Sequence, residues 1–87
     1  MVKREVIFRC PEDMQMKAVA MLIQKASSFR SNIWLQSGER RANGKSLLGV
    51  MSLGIQDQAE LEVTAEGPDE DDALETVVAY LESSELS

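Results

Sequence analysis

The sequence contains no histidine and a single cysteine, Cys10. The usual zinc ligand sets are therefore out of reach, no internal disulfide can form, and one lone thiol suits a reducing cytoplasm. No apolar run approaches the roughly 18 residues that a membrane span requires. Met1-Val2-Lys3-Arg4-Glu5 leads straight into strand-like sequence, without the apolar core of a signal peptide. Basic residues are missing from the second half: residues 46–87 carry eleven acids and no base. Residues 1–45 carry all nine bases and four acids, so halves of −11 and +5 leave the chain at −6. Such a split can steer a partner of either sign. The overall acidity opposes direct nucleic-acid binding, which needs a basic face.

What is present fits one small globular domain over residues 1–87, at 44% hydrophobic and 28% charged. Its core can stabilise the fold by only a few kcal/mol net. Val2 to Cys10 alternates, with Val6, Phe8 and Cys10 on one side and Lys3, Glu5, Ile7 and Arg9 on the other, which predicts a half-buried strand. Pro11-Glu12-Asp13 breaks it. Ala18, Val19, Leu22, Ile23, Ala26 and Phe29 then follow helical spacing over about 16–28, with Ala20 and Met21 at the border of the wetter side. Asn32 to Gln36 reads as a strand with Ile33 and Leu35 inward, Ser37-Gly38 as a turn, and Glu39 to Ala42 as a short third strand. The cleanest alternation comes later: Ala59, Leu61, Val63 and Ala65 face in, while Glu60, Glu62, Thr64 and Glu66 face out.

Gly67-Pro68 ends that strand, and Asp69 is placed to cap a last helix whose first turn holds Glu70, Asp71 and Asp72. The helix dipole favours negative charge there, which explains the acidic cluster without a metal. Leu74, Val77, Val78 and Leu81 form the buried stripe. The order βαββαβα predicts an α+β fold, a four-stranded antiparallel sheet with three helices on one face and solvent on the other. Ile7 and Trp34 are apolar exceptions on the outer face. They either cover each other across the sheet or mark a self-association surface, consistent with a monomer or a homodimer.

Between the third strand and the last lies Asn43-Gly44-Lys45-Ser46, followed by the apolar run Leu47 to Ile55. Ser46 is placed as an N-cap, its hydroxyl accepting from an otherwise orphan backbone N–H. Leu47, Leu48, Val50, Met51 and Leu53 are more apolar surface than so short a helix can bury, so some must face solvent or a partner. Two readings follow: a capped connecting helix that plugs the core, or a phosphoserine site beside a docking patch. Gly44-Lys45-Ser46 is not a P-loop, because Glu39 stands where the first glycine is needed and the segment follows a hairpin.

The run Lys45 to Ile55 resembles the regulatory-serine segment of HPr, the histidine-containing phosphocarrier of the bacterial sugar phosphotransferase system. The similarity continues through Gln24, Ala26-Ser27, Asn43, Ala65-Glu66-Gly67, Asp69-Glu70 and Asp72-Ala73-Leu74, and covers nearly the whole chain. It implies the HPr open-faced sandwich. The family's phosphocarrier motif is glycine, an aliphatic residue, the phosphorylated histidine, then alanine, arginine, proline and alanine. Here the matching stretch is Asp13-Met14-Gln15-Met16-Lys17-Ala18-Val19. Gln15 stands at the histidine, and an amide cannot take a phosphoryl group. Lys17 loses the arginine's fork, and Asp13 adds negative charge where an anion would have been welcomed.

Glutamine at that position in an HPr background resembles the Crh type of the family, which keeps the regulatory serine and acts in signalling. The resemblance implies phosphorylation of Ser46 by an HPr kinase/phosphorylase and corepressor action on a LacI-type catabolite control repressor. The partner surface it implies is Lys17, Ala20, Met21, Lys45, Leu47, Leu48 and Met51, with Gln15 a degenerate phosphocarrier position and no cofactor. Crh-type proteins usually keep the arginine and proline that Lys17 and Ala18 replace, which bears on that docking surface. The alternative is a diverged binding module that holds a metabolic enzyme or kinase without phosphorylation. Catalysis ranks below both, since there is no histidine and no evident nucleophile–base pair.

Overall fold

The computed structural model describes residues 1–8, 15–53 and 59–82. Arg9, Cys10, the Pro11-Glu12-Asp13 break, Gly54, Ile55 and the 56–58 connection lie outside the described residues. Seven elements follow the expected order: β1 (Val2–Ile7), α1 (Gln15–Ser27), β2 (Asn32–Ser37), β3 (Arg40–Asn43), α2 (Leu47–Ser52), β4 (Glu60–Glu66) and α3 (Glu70–Glu82). The strands form one antiparallel sheet in the order β1-β4-β2-β3.

Period-two alternation sends Val6, Ile33, Leu35, Ala42, Leu61, Val63 and Ala65 to one face, and all are buried. Helix α3 lies on that face against β1, β4 and β2, α1 packs on α3, and α2 bridges α1 and β3. The helices contribute Ala18, Leu22, Ala26, Val50, Leu53, Leu74, Val77, Val78 and Leu81 to the same core. The apolar stripes read from the sequence are thus the stripes that the fold buries. Removing so much apolar surface from water is the main force holding the layers together.

Four local expectations change. The hairpin turn is Gly38-Glu39, closed by Ser37 opposite Arg40, so β3 begins one residue later than expected. Gly38 supplies the positive φ of +61° that this two-residue loop needs. Ile7 and Trp34 do not cover each other: Ile7 pairs with Glu60 and Trp34 with Thr64, on opposite sides of β4 and four positions apart along it. The Trp34 ring is instead covered by the Arg41 guanidinium, 4.6 Å from its centroid. Thr64 points to the outer face as expected but is buried, between Lys3 and Trp34 on the neighbouring strands.

Asp69 occupies the cap position of α3 and its carbonyl accepts the first helical bond, from Ala73 N–H at 2.9 Å. Its carboxylate, however, is turned to the α1–β2 turn. It accepts from the backbone N–H of Arg30 and Ser31 and from the Ser31 hydroxyl. Two adjacent unpaired N–H groups at that turn outcompete the helix's own. These bonds, the Ser31 hydroxyl first, hold the Asp69 carboxyl at about 2, below its ordinary 3.8.

Candidate functional site

The segment before α2 is built from short-range hydrogen bonds. Asn43 Oδ1 accepts from Lys45 N–H at 2.8 Å, and the Asn43 carbonyl accepts from Ser46 N–H at 3.0 Å. Gly44 N–H donates to the Ile33 carbonyl at 2.7 Å, which presses this turn against β2. A Cβ on Gly44 would stand 2.8 Å from Ile33 Cγ2, so any side chain here would force Ile33 to shift.

Ser46 then caps α2 as expected. Its backbone is extended (φ −107°, ψ 115°) and its Oγ accepts from Gly49 N–H at 3.1 Å. This bond uses one oxygen lone pair and leaves the hydroxyl proton uncommitted. Val50 N–H to the Ser46 carbonyl, 2.9 Å, is the first helical bond. At the other end Ser52 Oγ donates to the Gly49 carbonyl and Arg40 donates to the Ser52 carbonyl at 3.1 Å, anchoring the helix end to β3.

Six residues cannot bury all their apolar side chains. Val50 and Leu53 point into the core and hold the helix down. Leu47, Leu48 and Met51 are 46%, 82% and 43% exposed. The run is thus divided residue by residue, between side chains that plug the core and side chains that stay exposed. On the adjoining α1, Lys17, Ala20 and Met21 stand at i, i+3 and i+4 and are exposed, so they share one helix face. Met16, 63% exposed at the start of the same helix, extends the apolar surface and was missed in the sequence. Its position in the first turn, off the stripe of Ala18, Leu22 and Ala26, is the signal that could have found it.

Lys45, which the resemblance puts in the partner surface, is tied back to the fold. Its Nζ donates to the Phe29 carbonyl at 2.7 Å, at the end of α1. Gln15 is the first residue of α1, and its side chain lies outside the described part, as do Asp13 and Met14. Among the described residues no group of three or more His, Cys, Asp or Glu side chains could hold a metal, and no helix is long and apolar enough to cross a membrane.

A family model described as the PTS HPr component phosphorylation site matches residues 2–83. The HPr-like protein Crh of Bacillus subtilis (strain 168) is 34% identical over 82 residues, covering 94% of this chain and 96% of the relative. Among solved structures, a crystal structure of HPr from Thermoanaerobacter tengcongensis is 31% identical, with a TM-score of 0.91 over 97% of this chain and 94% of that one. A crystal structure of Bacillus subtilis Crh, described as a dimer with a swapped domain, is 28% identical, with a TM-score of 0.74 over 97% of this chain and 92% of that one.

Proposed function

The chain belongs to the HPr family, and from that premise we propose that it is a cytoplasmic regulator of the Crh kind, acting in carbon catabolite repression and not carrying phosphate. One observation carries the reading. In a chain without histidine, with Gln15 at the phosphocarrier position, Ser46 caps α2 beside the exposed Leu47, Leu48 and Met51.

In this reading an HPr kinase/phosphorylase transfers the terminal phosphoryl group of ATP to Ser46 Oγ. The bond from Gly49 N–H leaves the hydroxyl proton free to be taken by the kinase. The phosphate adds about −1.5 to −2 charge at pH 7. A LacI-type catabolite control repressor then bridges the phosphate with Arg or Lys while Leu47, Leu48 and Met51 fill an apolar groove. Lys17, Ala20 and Met21 on α1 extend that surface. The test is ATP-dependent labelling by an HPr kinase, which Ser46→Ala abolishes, followed by repressor binding that requires the phosphate. Phosphoenolpyruvate with the general sugar-transport enzymes should leave no acid-labile phosphate on the chain. Equal repressor binding by Ser46→Ala and the phosphorylated protein would remove the switch from this residue.

A second reading, a binding module that holds a metabolic enzyme or kinase without phosphorylation, is favoured by two features. The Lys45 ammonium is engaged by the Phe29 carbonyl, and Lys17 and Ala18 replace the family's arginine and proline. Fewer free cations then surround a phosphate on Ser46. Unphosphorylated protein that captures its partner as well as the phosphorylated form decides for this reading.

A further inference from the structure

Among the described residues no element covers the sheet's outer face, and the register shows how its charges are laid out. One row across the four strands reads Glu5, Glu62, Gln36, Arg41, and the next reads Lys3, Thr64, Trp34, Asn43. The β1–β4 half of the first row is thus acidic, and the β2–β3 half ends in a guanidinium. Glu5 directly opposite Glu62 is a like-charge pair, an arrangement that destabilises a sheet unless a cation relieves it. Among the described residues neither carboxylate has a lysine or arginine within 4 Å.

Glu5 and Glu62 border a hollow of about 810 Å³ at the end of the sheet, which Ile7, Gln36, Glu60 and, from α3, Glu82 also line, with no base among its described lining residues. Ile7, 44% exposed, adds an apolar side chain to it. On the other half the guanidinium that could answer this charge is already ordered, since Arg41 is stacked on Trp34. An ordered cation loses less freedom on binding than a mobile one.

We propose that this open face binds a second copy of the chain, in a two-fold dimer whose axis runs parallel to the strands between β4 and β2. That axis lays the β1–β4 half of each copy on the β2–β3 half of the other. Because Glu5 and Arg41 end the same row, the operation sets Glu5 of each copy over Arg41 of its mate, twice per dimer. It also sets Glu62 over Gln36, Thr64 over Trp34, and Lys3 over Asn43. Every acid in the row meets a hydrogen-bond donor, and the like-charge pair gains its cation. The face is four strands at ~4.8 Å by some five residues at ~3.4 Å, or roughly 300 Å² per copy against about 800 Å² in a stable interface. The dimer is therefore weak, with dissociation in the high-micromolar to millimolar range. It needs no exchange of strands and leaves the Ser46 surface free.

Sedimentation equilibrium from micromolar to millimolar concentration tests this, read together with the fluorescence of Trp34, the chain's one tryptophan. The expected result is a mass that rises toward the dimer with a blue shift, both reduced by added salt. Glu5→Arg and Arg41→Glu should each weaken association by about tenfold or more, since each sets like charges over one another. An equimolar mixture of the two variants should associate again, because one chain then presents bases at both positions and the other acids. Lys3→Glu should have a smaller effect. Circular dichroism checks that each variant is folded, which these exposed positions favour. A wild-type chain monomeric at millimolar concentration overturns the proposal. So does a dimer indifferent to both substitutions, as a strand-swapped form would be, or a mixture that fails to associate. A dimer lost with Lys3→Glu and kept with Arg41→Glu also overturns it, by requiring a different axis.

Discussion

The Lys45 ammonium donates to the Phe29 carbonyl at 2.7 Å, joining the turn before Ser46 to the end of α1. Phe29 lies two residues past α1, in the turn to β2, where its carbonyl has no helical donor, and a cation just beyond a helix C-terminus is favoured by both hydrogen bonding and the helix dipole. Lys45 is thus a structural strap before it is anything else, and it stands next to the residue proposed to receive a phosphate. A phosphate on Ser46 would compete with Phe29 for the same cation.

Lys45→Met keeps most of the stem and removes the charge. A hydrogen bond to a charged group contributes about 1.5–3 kcal/mol, and the site is only partly buried, so a loss of about 1–2 kcal/mol is expected in urea denaturation. A variant within about 0.3 kcal/mol of wild type would show that the strap contributes nothing.

Acid should loosen the joint between α3 and the α1–β2 turn. The Asp69 carboxyl is held at about 2 in the folded protein against an ordinary 3.8, so the folded state binds its proton less readily than the unfolded state. The stability from this group is fully present above the ordinary value and is lost as pH falls toward 2. Glu70, lowered by the N-terminal ammonium and then by Gly67 N–H, acts with the same sign. The urea midpoint of wild type should fall more steeply between about pH 5 and pH 2 than that of Asp69→Asn. Parallel profiles would mean that the carboxylate is not held as described.

Core and outer face should respond differently along one strand. Leu61 and Leu74 are buried, so either →Ala change should cost ~2–5 kcal/mol, a large share of a small domain's stability. Glu62→Ala, next to Leu61 on β4 but on the outer face in register with Glu5, should lie within about ±0.5 kcal/mol at concentrations where the chain is monomeric. Equal midpoints for Leu61→Ala and Glu62→Ala would contradict the facing of β4.

Helix α2 should separate docking from folding. Leu48→Ala and Leu47→Ala remove exposed side chains and should weaken partner binding while leaving the denaturation midpoint nearly unchanged. Val50→Ala, one turn away and buried, should cost at least about 1 kcal/mol of stability. Isothermal titration of the Ser46-phosphorylated protein with the proposed repressor partner, alongside urea curves, reads both. Loss of stability without loss of binding in Leu48→Ala would move the docking surface elsewhere.

Element order, the inward residues and the Ser46 cap are all legible in the sequence. Alternation at 59–66 and the stripes of 18–29 and 74–81 report which face is buried, and burial is what stabilises these elements. The Ser46 cap is a bond across three residues, so the local pattern contains it. The family's motifs likewise carried the reading of Gln15 and Ser46. The partners of the long-range polar groups follow from the packed fold. Lys45 reaches Phe29 because the β2–β3 hairpin returns the chain beside the α1–β2 turn, while Asp69 turns from its own helix to Arg30 and Ser31, and Ile7 stands apart from Trp34, because β4 inserts between β1 and β2. Apolar burial leaves a periodic trace in the chain. A single hydrogen bond between segments sixteen or thirty-eight residues apart leaves none.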